Sequence, residues 1–528
     1  MPPNFPSGTL KSHFRATLIA SILLTFVLQI SAVTTAVGAE VFRFHHDNIL
    51  GTSLDLQVYA TGAQEAGIVE TAVLDEIERL RKILSTYDPA SEISKVNASN
   101  DPVTCSQELL DVLGFYDWWN VKSGGAYNGH LGELIRTWKD AEKAGTVPDS
   151  LTLQAIVQRL TLPGWKLDLK AKTVTKLTPQ PLNVDSLGKG YIISKAVVAA
   201  RAKAPAVQGF IINIGGDIYA YGVEAPGTPW TISVANPAQS ADNAPPLTQV
   251  RLTNHAVSTS AAYERGYTIG GKRYSHIFNP HTGLPAEGVS SATVIAANTA
   301  NSNALATTLC VLKPDEGLAL AKQIPDVECL IVAADGRQLR TGHFASLEIA
   351  QTPPPTTVTP QAPAAPGNAS KWPGGYKVTI ALSLLKPSHN NPNGNKKRKD
   401  HNPYIAVWVE TTDGKRVRTV TVWGNQKKWV PELSEWWKVA KQDQAWAATV
   451  TRATRVAGQY KIEWDGLDDK GAGLPPGTYT IFLEVNREGG DHKTQSGKIT
   501  CGAAPSQGTI PASTESDVTQ LTYGPGAP

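Results

Sequence analysis

One histidine, in the stretch RYSHIFNPHTGLP (residues 273–285), has the surroundings of a residue that handles protons. His276 ends a strand-like run, and the turn-forming residues Pro280 and Gly283 follow it. Such a turn would hold the imidazole in one orientation, from which it could carry a proton near neutral pH or donate a hydrogen bond to a phosphate. Taken alone, the stretch also fits a core histidine whose hydrogen bonds are satisfied.

Two glycine-containing stretches have the composition of sites that approach a phosphate. In NVDSLGKGY, Gly188 and Gly190 allow a close approach of the backbone, and Lys189 supplies a positive charge just where a helix starts. In NIGGD, residues 213–217, paired glycines follow a buried strand and Asp217 lies at the end of the sheet. Alone, the first stretch also fits an ordinary turn and the second a β-bulge. The spacing of a P-loop is absent.

A third stretch, ANSNALATT at residues 300–308, begins a predicted helix and carries oxygen atoms on one of its faces. Asn303 and Thr307 are four residues apart, so they share that face. Both side chains offer oxygens that a hard cation such as Mg²⁺ could use. The alternative is ordinary capping of the helix N-terminus by Asn and Ser.

The occurrence of these stretches together, in a fixed order, is more informative about function than any one of them alone. Together with LGTSLDL, LSTYDPASEISKVN and SGGAYNGHLGELIRTW, they follow one another from about residue 41 to residue 345. In this arrangement the chain resembles the ApbE family, the FAD:protein FMN transferases. The resemblance implies an α+β flavin-transferase domain with FAD as substrate and Mg²⁺ as cofactor.

The resemblance also implies a role for individual positions. The residues that would contact FAD are Leu50, Tyr87, Ala126, Tyr127, Asn128, Asn183, Lys189, Gly215, Gly216 and Ile277. The residues that would bind Mg²⁺ are Ser186, Asn303 and Thr307. Lys189 and His276 would stabilise developing negative charge, and His276 or Asp217 would help to deprotonate the acceptor hydroxyl. The implied reaction moves FMN from FAD to a Thr or Ser hydroxyl of an exported or membrane flavoprotein and releases AMP.

The chain departs from the family pattern at several acidic positions. Asn128, Asn183 and Asn303 stand where the family commonly has Asp, and Ser194 also replaces an Asp. Because Mg²⁺ prefers carboxylate and phosphate oxygens, a neutral amide at position 303 would either lower the metal affinity or leave more of the charge to the diphosphate, and Asp185 could compensate. The alternative function is therefore a non-catalytic FAD-binding protein with a decayed metal site.

Composition and the N-terminus indicate an exported protein. The net charge of +3 over 528 residues gives no support for nucleic-acid binding. Residues 1–39 have a basic start, an apolar run and a small-residue cleavage pattern, which predict a signal peptide and a periplasmic location, with membrane association only through a partner. Export permits disulfides, but the pairing of the four cysteines stays open; Cys310 and Cys329 could meet.

Domain boundaries follow from composition. A linker rich in Pro, Thr and Ala spans 351–375 and separates a first region, 40–350, from a second. In the first region, helical spacing predicts helices near 69–84, 106–122, 299–311 and 313–323, with strands such as 53–60, 209–216 and 289–297. Residues 376–502 read as strands bounded by turns, which predicts an all-β sandwich of immunoglobulin-like type, and 503–528 are expected to form a flexible tail.

Overall fold

The computed structural model describes the chain from Ala39 to Pro525 with several gaps. The described residues are 39–239, 244–262, 265–349, 372–386, 402–424, 430–442, 451–452, 455, 457–487 and 491–525. The predicted signal peptide, apart from Ala39, and most of the predicted linker lie outside the described residues. Among the described helices, none has both the length and the apolar character needed to cross a bilayer.

The first region contains nine helices and fifteen strands within its described residues. Its helices are α1 Ala63–Leu84, α2 Glu92–Ala98, α3 Gln107–Lys122, α4 Gly132–Ala144, α5 Ser150–Leu160, α6 Asp185–Lys203, α7 Thr299–Val311, α8 Pro314–Ala321 and α9 Phe344–Leu347. Its strands are β1 Glu40–Ile49, β2 Thr52–Ala60, β3 Val103–Thr104, β4 Trp165–Asp168, β5 Thr173–Lys176, β6 Gly209–Ile214, β7 Asp217–Gly222, β8 Trp230–Val234, β9 Thr248–Leu252, β10 His255–Ala261, β11 Gly266–Ile269, β12 Lys272–Ser275, β13 Val289–Ala296, β14 Val327–Ala333 and β15 Gln338–Arg340.

An eight-stranded sheet forms the centre of the first region. Its strand order is β1-β2-β6-β7-β10-β13-β14-β15, and all its neighbouring strands are antiparallel. Apolar side chains on one face, including Leu54, Leu56 and Val58 of β2, pack against α1, α6 and α7. The other face is covered by β8, β9 and α9. The predicted α+β architecture is therefore confirmed, and burial on both faces explains the long apolar runs of β13 and β14.

The predicted helices of the first region are confirmed, and local capping explains where they begin. Ser106 caps α3 by accepting a hydrogen bond from the Leu109 amide. Asn298 caps α7 in the same way by accepting from the Asn301 amide. A side-chain acceptor at this position satisfies one of the amide groups that a helix N-terminus leaves without an internal partner.

The second region is built mainly from strands. They are β16 Tyr376–Leu384, β17 Tyr404–Thr411, β18 Arg416–Trp423, β19 Thr451–Arg452, β20 Gly458–Trp464, β21 Gly477–Asn486, β22 His492–Cys501, β23 Ser506–Ile510 and β24 Thr519–Pro525, and they form two sheets with the orders β20-β16-β24-β23 and β19-β18-β17-β21-β22. Alternate residues of both sheets share one apolar core. The immunoglobulin-like type remains a prediction.

The second region is predominantly β, as predicted, and its described residues include one short helix, α10 Ser434–Ala440, which packs Trp436 and Ala440 on the outer face of the larger sheet. One expectation for this region was wrong. The expected tail at 503–528 contains β23 and β24, and β24 pairs with β16 inside the smaller sheet. Leu521 and Tyr523 of β24 are fully buried, so apolar burial fixes this segment in place.

The cysteines do not form disulfides in this structure. Cys105, Cys310, Cys329 and Cys501 are all buried, and none of them is bonded to another cysteine. Cys310 donates to the Ser260 carbonyl at 3.3 Å, and burial raises the pKa of the Cys329 thiol to about 12. A buried thiol with a raised pKa is unreactive, so Cys329 acts as a small apolar side chain.

Candidate active site

A cavity of about 430 Å³ between the sheet and the starts of α4, α6 and α7 collects most of the residues singled out by sequence. Those lining it are Tyr87, Ala126, Tyr127, Asn128, Asn183, Ser186, Lys189, Gly215, Asp217, His276, Ile277, Asn303 and Thr307. Leu50 lines an adjoining cavity of about 550 Å³, which shares Tyr87, Asp185, Lys189 and Arg265 with the first. Gly216 is absent from both linings, although its φ of +91° lets the chain turn into Asp217.

The start of α6 brings three polar side chains to the cavity. Asn183 accepts a hydrogen bond from the Asp185 amide at 2.8 Å and donates to the Asp185 carboxylate at 3.1 Å, which fixes the turn into the helix. The Ser186 hydroxyl lies 2.7 Å from the hydroxyl of Tyr116 and 3.2 Å from that of Tyr127. Burial raises the pKa of Tyr116 to about 12, so this phenol stays neutral and can exchange hydrogen bonds with Ser186.

The Tyr87 ring projects from the cavity rim and is 86% exposed. The nearby Asp185 carboxylate raises the pKa of the Tyr87 hydroxyl, since a negative neighbour disfavours the phenolate. Burial raises the pKa of Asp185 in turn. An exposed aromatic ring at the mouth of a polar cavity offers a stacking surface for a planar ring of a ligand.

The floor of the cavity is an ionic arrangement that joins α6, β7 and α7. Lys189 Nζ lies 2.7 Å from Asp217 Oδ2, and Asp217 is almost fully buried. Asn303 Nδ2 donates to both Asp217 oxygens, at 3.1 and 3.2 Å. The carboxylate therefore orients both a cation and an amide, which together could bind a phosphate and a metal ion.

The predicted metal ligands offer an oxygen set that fits a hard cation. Oδ1 of Asn303 is buried and has no hydrogen-bond partner in the described part of the chain. The Thr307 hydroxyl, one turn further along α7, lies 3.2 Å from Ser260 Oγ. The described residues contain no cluster of three or more His, Cys, Asp or Glu side chains suited to a metal. The set of Ser186, Asn303 and Thr307 is therefore neutral, and most of the compensating charge would have to come from a ligand.

Hydrogen bonding defines the state of the His276 ring. Its Nδ1 lies 3.1 Å from the Arg265 carbonyl oxygen, which can only accept, so Nδ1 carries the proton and Nε2 keeps its lone pair. Burial lowers the pKa of His276, and the charges of Arg265 and Arg273 lower it further. The imidazole is therefore neutral near pH 7 and suited to accept a proton.

The turn that the sequence predicts after His276 is present and well anchored. The Gly283 amide donates to the Asn279 carbonyl at 2.9 Å, and the Trp138 indole N–H donates to the Gly283 carbonyl at 2.9 Å. Gly283 has a φ of +71°, which disfavours any residue with a side chain. The Pro-His-Thr-Gly segment is thus anchored to α4 through Trp138.

Asn128 serves the local structure. Its side chain is buried, donates to the Leu160 carbonyl at 3.2 Å and accepts from the His130 amide at 3.0 Å. These two bonds occupy the amide, although the residue borders the cavity. Its neighbours Ala126 and Tyr127 are buried beside it.

Sequence reasoning missed several residues that line the cavity. Among them are Thr259, Ser260, Ala261 and Arg265. The first three lie on β10, whose sequence HAVSTSA resembles an ordinary strand. A row of small hydroxyl residues opposite the Asn303 helix was the only available signal.

The close packing of α6 against α7 fixes the distance between Ser186 on α6 and the polar face of α7 that carries Asn303 and Thr307. A Cβ atom added to Gly190 would lie 2.7 Å from the Thr299 carbonyl oxygen, so the helices can approach this closely only without a side chain there. Ser194, one turn later, accepts from the Thr299 amide at 3.1 Å and donates to the Gly190 carbonyl at 2.9 Å. The residue that departs from the family pattern at 194 thus anchors the start of α7.

Comparison with known families agrees with this geometry. The model of the ApbE family matches residues 50–331, which is more than half of the chain. The chain belongs to the ApbE family. A second family, described as a predicted periplasmic protein (DUF2271), matches residues 392–519 and so includes β23.

Curated relatives of this ApbE chain share one name. An FAD:protein FMN transferase from Treponema pallidum is 27% identical over 307 residues, covering 55% of this chain and 84% of the relative. One from Vibrio cholerae is 28% identical and covers 54% and 86%.

Solved structures support the same fold. The ApbE protein from Thermotoga maritima has a TM-score of 0.53 at 25% identity and covers 59% of this chain and 100% of that protein. The flavin transferase ApbE from Vibrio cholerae has a TM-score of 0.51 at 23% identity and covers 58% and 99%. The second likeness, at this identity, concerns the fold alone.

Proposed function

We propose that this protein is an FAD:protein FMN transferase that moves FMN from FAD to a Thr or Ser hydroxyl of an exported or membrane flavoprotein and releases AMP. Family membership and the shared name of the curated relatives support flavin transfer. The observation that carries the proposal is the cavity in which Lys189, Asp217, His276 and Asn303 meet. The match to a predicted periplasmic family supports an exported location.

Binding of FAD requires a surface for the isoalloxazine ring and positive charge for the diphosphate. The exposed ring of Tyr87 at the mouth and Leu50 in the adjoining cavity supply the first. Lys189 and the amides at the start of α6 supply the second. Leu50 has a φ of +51°, and such backbone strain at a cavity wall is typical of functional positions.

Ser186, Asn303 and Thr307 would hold Mg²⁺. When bound, this ion would neutralise charge on the diphosphate and make its central bond easier to break. The neutral side chains fit such a role because the diphosphate itself brings negative oxygens to the ion.

The chemical step follows from the state of His276. Its Nε2 lone pair would accept the proton of the acceptor hydroxyl as that oxygen attacks the phosphorus of the FMN half. The bond between this phosphorus and the bridging oxygen breaks, and AMP leaves with the electron pair. Lys189, held by Asp217, would stabilise the charge that develops on the phosphoryl oxygens. Positioning and charge stabilisation supply most of the rate in such reactions.

A direct test uses the full chain with FAD, MgCl₂ and a mixture of peptides that contain Thr or Ser. We expect AMP in the supernatant, a mass increase of one FMN moiety on peptide, and loss of both on adding EDTA. Stoichiometric FAD binding without AMP would instead support the alternative, an FAD-binding protein with a decayed metal site. That alternative draws on Asn303 and on the lack of an acidic metal cluster among the described residues. No FAD binding at all would contradict both.

A further inference from the structure

The hydroxyl of Ser186 lies between two buried phenols and the active-site cavity. Its Oγ is 2.7 Å from the Tyr116 hydroxyl and 3.2 Å from the Tyr127 hydroxyl. Ser186 itself is exposed and lines the cavity. This serine therefore has one side against the two tyrosines and another side open to a ligand.

The two phenols hold fixed positions. The rings of Tyr116 and Tyr127 stack with 5.4 Å between their centroids and 16° between their planes. The Tyr127 amide donates to Ser123 Oγ at 2.9 Å, and the Tyr127 carbonyl accepts from the Asn120 side chain at 2.9 Å. Both hydroxyls therefore reach Ser186 from well-defined directions.

Burial decides which way the hydroxyl protons point. Tyr116 and Tyr127 are 1% and 2% exposed, and a buried O–H without an acceptor costs free energy. The Tyr116 oxygen already accepts from the Leu187 amide at 3.1 Å, and an amide N–H can only donate. In the described part of the chain, Ser186 Oγ is the acceptor within reach of both phenolic protons. Both tyrosines therefore donate to Ser186.

The proton of Ser186 then has one direction left. A serine oxygen has two lone pairs and one proton, and the two phenols occupy both lone pairs. The proton therefore points to the open side of the residue, which is the cavity. Two incoming hydrogen bonds also polarise the O–H group and make it a stronger donor. An oxygen in this state donates to a ligand and has no lone pair for a metal ion.

Positive charge lies beside this donor. Lys189 follows Ser186 by three residues on α6, so the two side chains share a face of the helix, and both line the cavity. Both residues are near the N-terminus of α6, where the helix dipole adds a partial positive charge. An O–H donor next to an ammonium group and a helix N-terminus favours the oxygen of an anion.

We propose that Tyr116 and Tyr127 are positioning residues that orient the Ser186 hydroxyl as a hydrogen-bond donor to an oxygen of the FAD diphosphate. The proposal rests on the transferase function and refines its metal site. Asn303 and Thr307 would hold Mg²⁺ through their side chains, and Ser186 through its carbonyl oxygen alone.

Ser186→Ala separates the donor from the metal. Binding of FAD and of ADP, which carries a diphosphate but no flavin, is measured by calorimetry on the full chain with EDTA and with MgCl₂. In EDTA we expect both nucleotides to bind about tenfold more weakly, because a hydrogen bond to a charged oxygen is lost. The factor by which MgCl₂ tightens ADP binding should stay within about threefold of the wild-type factor.

Two further variants serve as controls for this substitution. Ser186→Thr keeps the hydroxyl and should retain the wild-type affinity for ADP. Ser150→Ala, at the exposed first residue of α5, should change neither the affinity nor the Mg²⁺ factor. Cooperative thermal melts confirm that each variant is folded.

A double-mutant cycle tests the tyrosines. Tyr127→Phe should weaken ADP binding in EDTA by about threefold in the wild-type background and leave it unchanged in the Ser186→Ala background, because the phenol acts through that hydroxyl. Tyr116→Phe should give the same pattern. A purely structural role of either tyrosine would produce equal losses in both backgrounds and would overturn its assignment as a positioning residue.

The outcomes distinguish this proposal from the transferase function. Unchanged ADP binding by Ser186→Ala in EDTA, or a fall of more than about threefold in its Mg²⁺ factor, would overturn the proposal. Weaker FAD binding with unchanged ADP binding would place the hydroxyl against the flavin ring and would overturn it as well. Transfer of FMN to acceptor peptides by the wild type is measured separately, so a failure of the proposed function is seen on its own.

Discussion

Lys189 Nζ and Asp217 Oδ2 lie 2.7 Å apart on the floor of the active-site cavity, and this pair ties α6 to the start of β7. The same carboxylate accepts from Asn303, so it orients residues on two helices at once. A buried carboxylate with two such partners is costly to leave unpaired, and its removal affects both of them.

Replacing that carboxylate should reduce catalysis more than binding. In Asp217→Asn, Lys189 loses its ionic partner, and we expect FMN transfer to fall by about 100-fold while FAD affinity changes by less than about threefold. Transfer rates from AMP release and FAD titrations give the two quantities. Asp75→Asn, at an exposed site on α1, is the matched control. Equal losses in rate and in affinity would show that Asp217 serves ground-state binding only.

Asn303→Asp should strengthen the response to Mg²⁺ and weaken the metal-free protein. The new carboxylate would face both oxygens of Asp217, so we expect a loss of about 1 kcal/mol in the free energy of unfolding without metal. Mg²⁺ bound at residue 303 should restore stability because its charge offsets the repulsion between the new carboxylate and Asp217. Thermal melts with and without MgCl₂ measure this. Asn301→Asp, on another face of α7, should show no such rescue; a rescue of equal size there would contradict the assignment of the metal position.

The pH dependence of transfer should follow His276. Burial lowers its pKa below the ordinary value of 6.5, and only the neutral ring can accept a proton. The rate should therefore be level above pH 6.5 and fall below it as the ring becomes protonated. Arg273→Gln removes a charge that lowers this pKa and should move the acidic limb to higher pH. His276→Gln should abolish the limb and most activity, whereas His343→Gln should leave the profile unchanged; a limb that survives in His276→Gln would assign the base elsewhere.

A second histidine, His45, should make the free energy of unfolding depend on pH. Burial opposes the charge of His45, but hydrogen bonds to Asp47 at 3.2 Å and Asp55 at 2.6 Å outweigh it and raise the pKa to about 9. Because the folded pKa exceeds the unfolded value, the ion pair stabilises fully below pH 6.5, and this stability is lost as pH rises through 9. The ionisation contributes about 3 kcal/mol.

The test compares His45→Gln with the wild type by denaturant unfolding at several pH values. The difference in the free energy of unfolding should be largest near pH 6 and should shrink above pH 9. A difference that does not depend on pH would mean that the substitution acts through packing alone. His343→Gln, at an exposed site, controls for general effects of the replacement.

Truncation after Gly502 should unfold the second region. The deletion removes β23 and β24, including the buried Ile510, Leu521 and Tyr523, and exposes both the edge of β16 and the buried side chain of Arg487 that Glu515 pairs with. We expect rapid proteolysis within 376–502 and unchanged FAD binding by the first region. Truncation after Pro525 should leave the second region resistant to proteolysis. A protease-resistant second region after the longer deletion would contradict the assignment of β24 to its core.

Much of the active site could be predicted because motif residues carry their own local geometry. His276 and the turn at Gly283, the Asn303–Thr307 face of α7 and Lys189 at the start of α6 each follow from local spacing. What local spacing cannot give is the meeting of these elements, and that came from the family resemblance. The sheet order places β10 between β7 and β13. Thr259 and Ser260 line the cavity because of this order, which local sequence patterns do not predict.

The wrong expectation of a C-terminal tail has a physical cause. The C-terminal segment is rich in Gly, Pro and Ser, which favoured a tail, yet Thr519, Leu521 and Tyr523 alternate on one face and fill the core of the second region. Alternation over only five residues is easily overlooked beside such composition. The contact of Asn128 with FAD stays a prediction, and its motif alone did not indicate the two local hydrogen bonds that its side chain makes.

The missing side chain at Gly190 has a consequence for how this active site could change. Ser186 and Thr307 belong to different helices, and the gap between them is set where those helices cross, at the carbonyl of Thr299. Even one methyl group at residue 190 would spread the helices and widen the gap without altering any residue that touches substrate. The dimensions of the cavity therefore depend on a helix crossing whose residues, Gly190 and Thr299, do not line the cavity themselves.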